Sequence, residues 1–134
     1  WEREAQRWVP DAYVVTHVGK QAGREFAREH DWYHPVDETQ SISRAFKANI
    51  VLTTYETITA DRQSFAKAKW STMVVDEAHF IKNKDSQRSK AVQAVAKTIR
   101  ARLRHPLLVA LTGTPLINQI EDFRMIWQFL VAYL

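Results

Sequence analysis

Met73-Val74-Val75-Asp76-Glu77-Ala78-His79 is the stretch on which the fold turns. Three apolar residues without alternation fit a strand covered on both faces, as in a parallel sheet. The run stops at two adjacent carboxylates, and in open parallel sheets ligands sit at the carboxyl ends of strands. Paired carboxylates there can divide the work. One holds a Mg²⁺, which favours one or two carboxylates plus phosphate oxygens, and the other orients or deprotonates an attacking water. The competing explanation is a strand ending in a solvated turn, where Asp is common.

Working outward, three more runs rich in β-branched residues read as strands: Ala12–Val18, Ile50–Thr54 and Leu107–Leu111. Helical periodicity lies between and around them. Glu2–Val9 reads as a helix stopped by Pro10, and Gly23–Glu29, Ser41–Lys47 and Glu56–Lys67 as further helices. Ser86–Leu103 is the clearest, with Val92, Val95, Ile99 and Leu103 on one face and Lys90, Lys97 and Arg104 on another stripe. A last helix, Glu121–Leu134, is expected to turn Phe123, Ile126, Trp127 and Leu130 inward. Strands alternating with helices imply a layered α/β domain. Residues 30–40 have no period and contain a Pro, which reads as a loop or insertion. No repeat, linker or second domain is visible, so residues 1–134 are expected to be one domain or part of one.

Two other strand ends carry polar residues. In Leu111-Thr112-Gly113-Thr114-Pro115 two hydroxyls flank a Gly that permits a positive-φ turn, and Pro115 can open a helix. This segment is expected in a second strand of the same sheet as Asp76. In Val51-Leu52-Thr53-Thr54-Tyr55-Glu56, Thr54 can cap the following helix, and the hydroxyls with N-terminal amides can seat a phosphate backbone. Capping alone explains the same residues.

Composition bounds the rest. The chain has 134 residues, 46% of them hydrophobic and 25% charged, with no Cys. That excludes collagen-like and low-complexity chains, disulfide frameworks and thiolate metal sites. No apolar run is long enough to cross a membrane as a helix, and the first residues lack the layout of a signal peptide. The chain starts at Trp1 without an initiator Met, which suggests a piece of something longer. Its net charge of +4 is unevenly placed: from Lys82 to Arg104 eight basic residues face one acid, Asp85, leaving the remainder at −3. A polyanion is one natural partner for such a block and solvent is the other.

Taken together these segments resemble the N-terminal RecA-like lobe of the Swi/Snf-type ATPases, in helicase superfamily two. Trp1-Glu2-Arg3-Glu4 resembles the segment after that family's motif Ia, and Val51–Glu56 resembles motif Ib. Asp76-Glu77-Ala78-His79 with Ile81-Lys82-Asn83 resembles motif II and its tail. Leu111–Pro115 resembles motif III, and Ile126-Trp127-Gln128-Phe129-Leu130 the helix beyond it. The order and spacing match over nearly the whole chain. The fold implied is three-layer α/β with a mostly parallel sheet, lacking its first strand and P-loop helix.

The resemblance implies a DNA-dependent ATPase and translocase using ATP and Mg²⁺. Asp76 would hold the metal of the nucleotide, and Glu77 would position the hydrolytic water. His79 would connect the nucleotide site to motif III, where Thr112, Gly113 and Thr114 couple hydrolysis to lobe movement. Thr53, Thr54, Lys82 and Asn83 would approach a DNA phosphate backbone. The implied partners are double-stranded DNA, a second RecA-like lobe of the same parent chain, and RNA polymerase or other DNA-bound proteins. The implied location is the nucleoid of a bacterium or the nucleus of a eukaryote. Two departures count against activity of these residues alone. Gly19-Lys20-Gln21 is not a P-loop, since Gly-x-x-x-x-Gly-Lys-Ser/Thr is absent, and Leu116–Phe123 diverges from the usual sequence after motif III. Two alternatives remain at this point. One is a non-catalytic DNA- or protein-binding module on the same scaffold. The other is a metal hydrolase built on Asp76, Glu77 and His79, which lacks the His-Glu-x-x-His spacing.

Overall fold

The β-branched runs form four short strands, and every pairing between them is parallel. The computed structural model describes residues 1–35, 45–113 and 120–131. The chain divides into two compact units, Trp1–Thr57 and Ile58–Leu134, each with its own two-stranded sheet.

The first unit holds α1 (Glu2–Trp8), β1 (Val14–His17), α2 (Gln21–His30) and β2 (Ile50–Thr53). β1 pairs with β2 from Val14 opposite Ile50 to His17 opposite Thr53. Gly19 takes φ +93° between β1 and α2, a conformation that L side chains rarely adopt. Its core is Val15, His17 and Trp32, with the rings of His17 and Trp32 4.8 Å apart. Trp32 is fully buried although it lies in the segment expected to be a loop or insertion. Its carbonyl accepts hydrogen bonds from the amides of Lys47 and Ala48, and Tyr33 bridges Phe46 in antiparallel fashion. The expected helix over Ser41–Lys47 is therefore corrected: residues 45–47 run as a bridging strand-like segment, and residues 41–44 lie outside the described residues. The aromatic anchor outweighed the short helical pattern.

α3 (Tyr55–Ala60) follows β2 directly, and its first turn closes the first unit. The helix expected over Glu56–Lys67 is in fact two, because Asp61 (φ −101°, ψ 24°) breaks it before α4 (Arg62–Lys67). The second unit continues with β3 (Thr72–Val75), a 3₁₀ turn (Ala78–Ile81), α5 (Gln87–Arg102), β4 (Leu107–Ala110) and α6 (Ile120–Leu130). β3 and β4 pair in parallel from Thr72 opposite Leu107 to Val75 opposite Ala110. The runs that lead into Asp76 and into Leu111 thus lie on neighbouring strands of one sheet, as expected. Among the described residues this sheet is better covered on one face, since Val75 is buried while Val74 and Leu107 are more than half exposed.

α5 packs against α4 and the 3₁₀ turn. Its buried face is Ala91, Val92, Val95, Ala96 and Ile99, and burying the Val and Ile side chains stabilises the unit by about 1.5–3 kcal/mol each. Leu103 is extended (φ −109°, ψ 134°), so Arg104 leaves the helix and does not continue the Lys90–Lys97 stripe. The end of the basic block binds carbonyls of the unit itself. Arg100 donates to the carbonyls of Gln128 and Phe129 in the last turn of α6, where cations and N–H donors are favourable. Arg102 donates to the carbonyls of Ala68 and Trp70. Burial lowers the pKa of the Arg100 guanidinium from its ordinary value. α6 turns Ile126 and Phe129 inward and leaves Phe123, Trp127 and Leu130 exposed. That corrects the face expected from sequence: Ile126 is inward as expected, but Phe129 takes the place beside it and Phe123, Trp127 and Leu130 do not.

Candidate functional site

The end of β3 is where backbone geometry becomes unusual. Asp76 follows the last strand residue, and its Oδ1 accepts the Glu77 amide at 2.9 Å. Glu77 adopts φ 49°, ψ 49° and is the only non-glycine residue with positive φ among those described. A left-handed L-residue costs about 1–2 kcal/mol, and such strain concentrates at functional sites. The turn leads into the 3₁₀ helix, with the Phe80 amide donating to the Glu77 carbonyl at 2.9 Å.

Two backbone hydrogen bonds join this turn to the end of β4. The Leu111 amide donates to the Val75 carbonyl, and the Ala78 amide donates to the Leu111 carbonyl, each at 2.8 Å. The carboxylate turn is thereby fixed beside Leu111, from which the chain runs on into Thr112 and Gly113. Thr114 lies outside the described residues. Gly113 has no positive φ, and nothing lies within 4 Å of where a Cβ would stand. The positive-φ turn that a Gly permits is therefore not used at Gly113.

Asp76 and Glu77 are exposed, whereas the His79 side chain is 24% exposed. The His79 ring lies 4.4 Å from that of Phe80, over which Arg88 places its guanidinium at 5.7 Å. His79 Nδ1 comes within 3.2 Å of Glu77 Oε2, yet the pair is out of hydrogen-bond alignment and Nδ1 is buried without a partner. A small rotation of either side chain brings the two atoms into alignment. Among the described residues no three His, Asp, Glu or Cys side chains cluster closely enough to hold a metal. A single exposed carboxylate at a strand end, as Asp76 is, has the chemistry to share a Mg²⁺ with phosphate oxygens.

The residues expected at a phosphate backbone have other hydrogen-bonding duties. Thr53 Oγ1 donates to the His17 carbonyl across the β1–β2 pair at 2.9 Å. Thr54 Oγ1 accepts the Thr57 amide and donates to the Thr57 hydroxyl, both at 3.2 Å, so the capping expectation holds. Asn83 Oδ1 accepts the Asp85 amide at 2.9 Å, and its carbonyl accepts the Ser86 hydroxyl at 2.8 Å. Ser86 in turn caps α5 by accepting the Ser89 amide. Asn83 therefore shapes the turn into α5, and Lys82 beside it is half-buried. Sequence reading missed that turn, although the spacing of Asn83, Asp85 and Ser86 carries a recognisable turn-and-cap signal. It also missed Arg100 and Arg102 as carbonyl donors, for which basic residues near a helix end are only a weak indication.

Comparison with known proteins adds an independent line. A family model described as SNF2-related domain matches residues 1–133. "Protein CHROMATIN REMODELING 5" of Arabidopsis thaliana is 32% identical over 130 residues, covering 97% of this chain and 7% of that protein. "Chromodomain-helicase-DNA-binding protein 1" of Gallus gallus is 34% identical over 131 residues, covering 98% of this chain and 7% of that protein. Among solved structures, the Sulfolobus solfataricus SWI2/SNF2 ATPase core in complex with dsDNA matches with a TM-score of 0.66 and 26% identity. That match covers 97% of this chain and 22% of the other. The chain therefore spans a small part of the proteins it matches.

Proposed function

Because the chain belongs to the SNF2-related domain family, we propose that it forms part of the ATP-binding motor lobe of a DNA-dependent ATPase that translocates on duplex DNA. The observation that carries this reading is the Asp76–Glu77 pair at the carboxyl end of β3, with the end of β4 hydrogen-bonded to the turn behind it. The dsDNA-bound structural relative supports the nucleic-acid partner, and relatives named for chromatin remodelling support a remodelling task.

Asp76 is the residue that would hold Mg²⁺ on the nucleotide, whose charge would offset that developing on the phosphate oxygens. Glu77 orients the attacking water and can accept its proton. His79, Thr112, Gly113 and Thr114 link that event to movement of the lobe. The Leu111 backbone bridge supports this role, since a shift at the carboxylates is felt directly at the end of β4. Thr53, Thr54, Lys82 and Asn83 contribute phosphate contacts that position duplex without reading its sequence. The second lobe would supply the opposing wall of the nucleotide site. A nuclear or nucleoid location goes with a DNA partner.

In the intact ATPase, Glu77→Gln is expected to lower turnover by at least about 100-fold, the lower range for a general base, while ATP binding is retained. Unchanged turnover would overturn the assignment. The 134-residue chain alone, with no P-loop in its sequence, is expected to hydrolyse no ATP above background. A Glu77-dependent signal from it would contradict that expectation.

A further inference from the structure

Segments of this kind give His79 a task toward motif III, but the geometry points to a nearer one. We infer that His79 is a positioning residue for Glu77, presenting a buried Nδ1–H that fixes the direction of the Glu77 carboxylate through Oε2. The inference rests on Glu77 being the water-orienting carboxylate.

Three observations support it. Nδ1 of His79 is buried without a hydrogen-bond partner, and buried polar atoms of native proteins are nearly always satisfied. Glu77 Oε2 stands 3.2 Å away, so a small rotation of either side chain completes the bond. The backbone at Glu77 is left-handed (φ 49°, ψ 49°), in the same turn that carries both side chains. The imidazole itself is well seated. Its ring lies tilted against that of Phe80, and its 3₁₀ turn is tied to the end of β4 through the Ala78 amide. A carboxylate on an exposed turn samples many directions, whereas one held by a seated ring has a single direction before substrate arrives. Misplacing a catalytic group by about 1 Å can cost on the order of 100-fold in rate.

The assignment also specifies the tautomer. A neutral imidazole carries one proton, placed by the hydrogen bond the ring makes, so His79 is expected to be the Nδ1–H form. That is testable without turnover, by ¹⁵N NMR of the His79 imidazole in the 134-residue chain. The expected result is a protonated Nδ1 whose resonance moves in Glu77→Gln. A proton on Nε2, or a resonance indifferent to Glu77→Gln, overturns the inference.

Kinetics of the intact ATPase supply the second arm. Asn places its amide nitrogen where Nδ1 stands, and Gln places its own one bond further, near Nε2. His79→Asn is expected to restore most of the kcat that His79→Ala loses. His79→Gln and His79→Ala are expected to lose on the order of 100-fold in kcat with KM for ATP little changed. Any pattern other than rescue by Asn alone overturns the inference, and rescue by Gln alone would place the partner on Nε2. If Glu77→Gln leaves turnover unchanged, the reading of Glu77 fails while the NMR result still reports on the contact.

Discussion

The carboxyl ends of β2 and β3 present polar side chains in opposite ways. At β2 the hydroxyls serve the fold: Thr53 ties β2 to β1 through the His17 carbonyl, and Thr54 caps α3. At β3 the carboxylates stand exposed, and the backbone adopts at Glu77 a conformation unfavourable for a side chain. The hydrogen bonds at the first end serve stability directly. Stability does not explain the second, where a strained and exposed acid is kept at a cost to the fold. The contrast separates a capping strand end from a chemical one more sharply than residue type does.

Substitutions can break this contrast, and the largest expected effect is on chemistry. Glu77→Gln should reduce ATP turnover of the intact protein by about 10²–10⁴-fold while moving the urea midpoint of the 134-residue chain very little, as for an exposed side chain. A large loss of stability would make Glu77 a structural residue and erase the distinction. Thr54→Ala should cost about 1 kcal/mol in urea unfolding, the usual value of an N-cap. Thr53→Val removes the hydrogen bond to the His17 carbonyl while keeping the β-branched shape, for a loss of about 1 kcal/mol or slightly less. A neutral result for both Thr variants would mean that the β2 end is not built for stability. The smallest effect has the opposite sign. Glu77→Gly relieves about 1–2 kcal/mol of left-handed strain against about 0.5–1 kcal/mol of added unfolded-state entropy. A net gain of about 0.5 kcal/mol is therefore expected, read as a higher urea midpoint.

The strands and the site were legible in the sequence because both are local signals. Unbroken β-branched runs mark strands whatever surrounds them, and Asp76-Glu77 ends one of those runs. What stayed hidden depends on partners far along the chain. The rotation of α6 follows from what packs against Ile126 and Phe129, and with seven apolar residues among its eleven the helix offers more than one apolar stripe. Arg100 reads as one more cation in a basic block until the carbonyls of Gln128 and Phe129, twenty-eight and twenty-nine residues on, are seen to receive it. Trp32 sits in a segment without period, and its burial could be read only from its size. The continuous apolar character of β3 predicted cover on both faces, and the described residues supply it more fully on one. Val74 and Leu107 thus retain the composition of a more deeply layered sheet.

Leu111 has an exposed side chain, and by that measure it belongs to the surface. Its backbone is sandwiched instead, giving its amide to Val75 and receiving that of Ala78. In deuterated solvent these two amides should therefore behave as one clock, exchanging slowly and together. A ligand that reshapes the carboxylate turn would then be visible first as a change in the pace of a surface leucine.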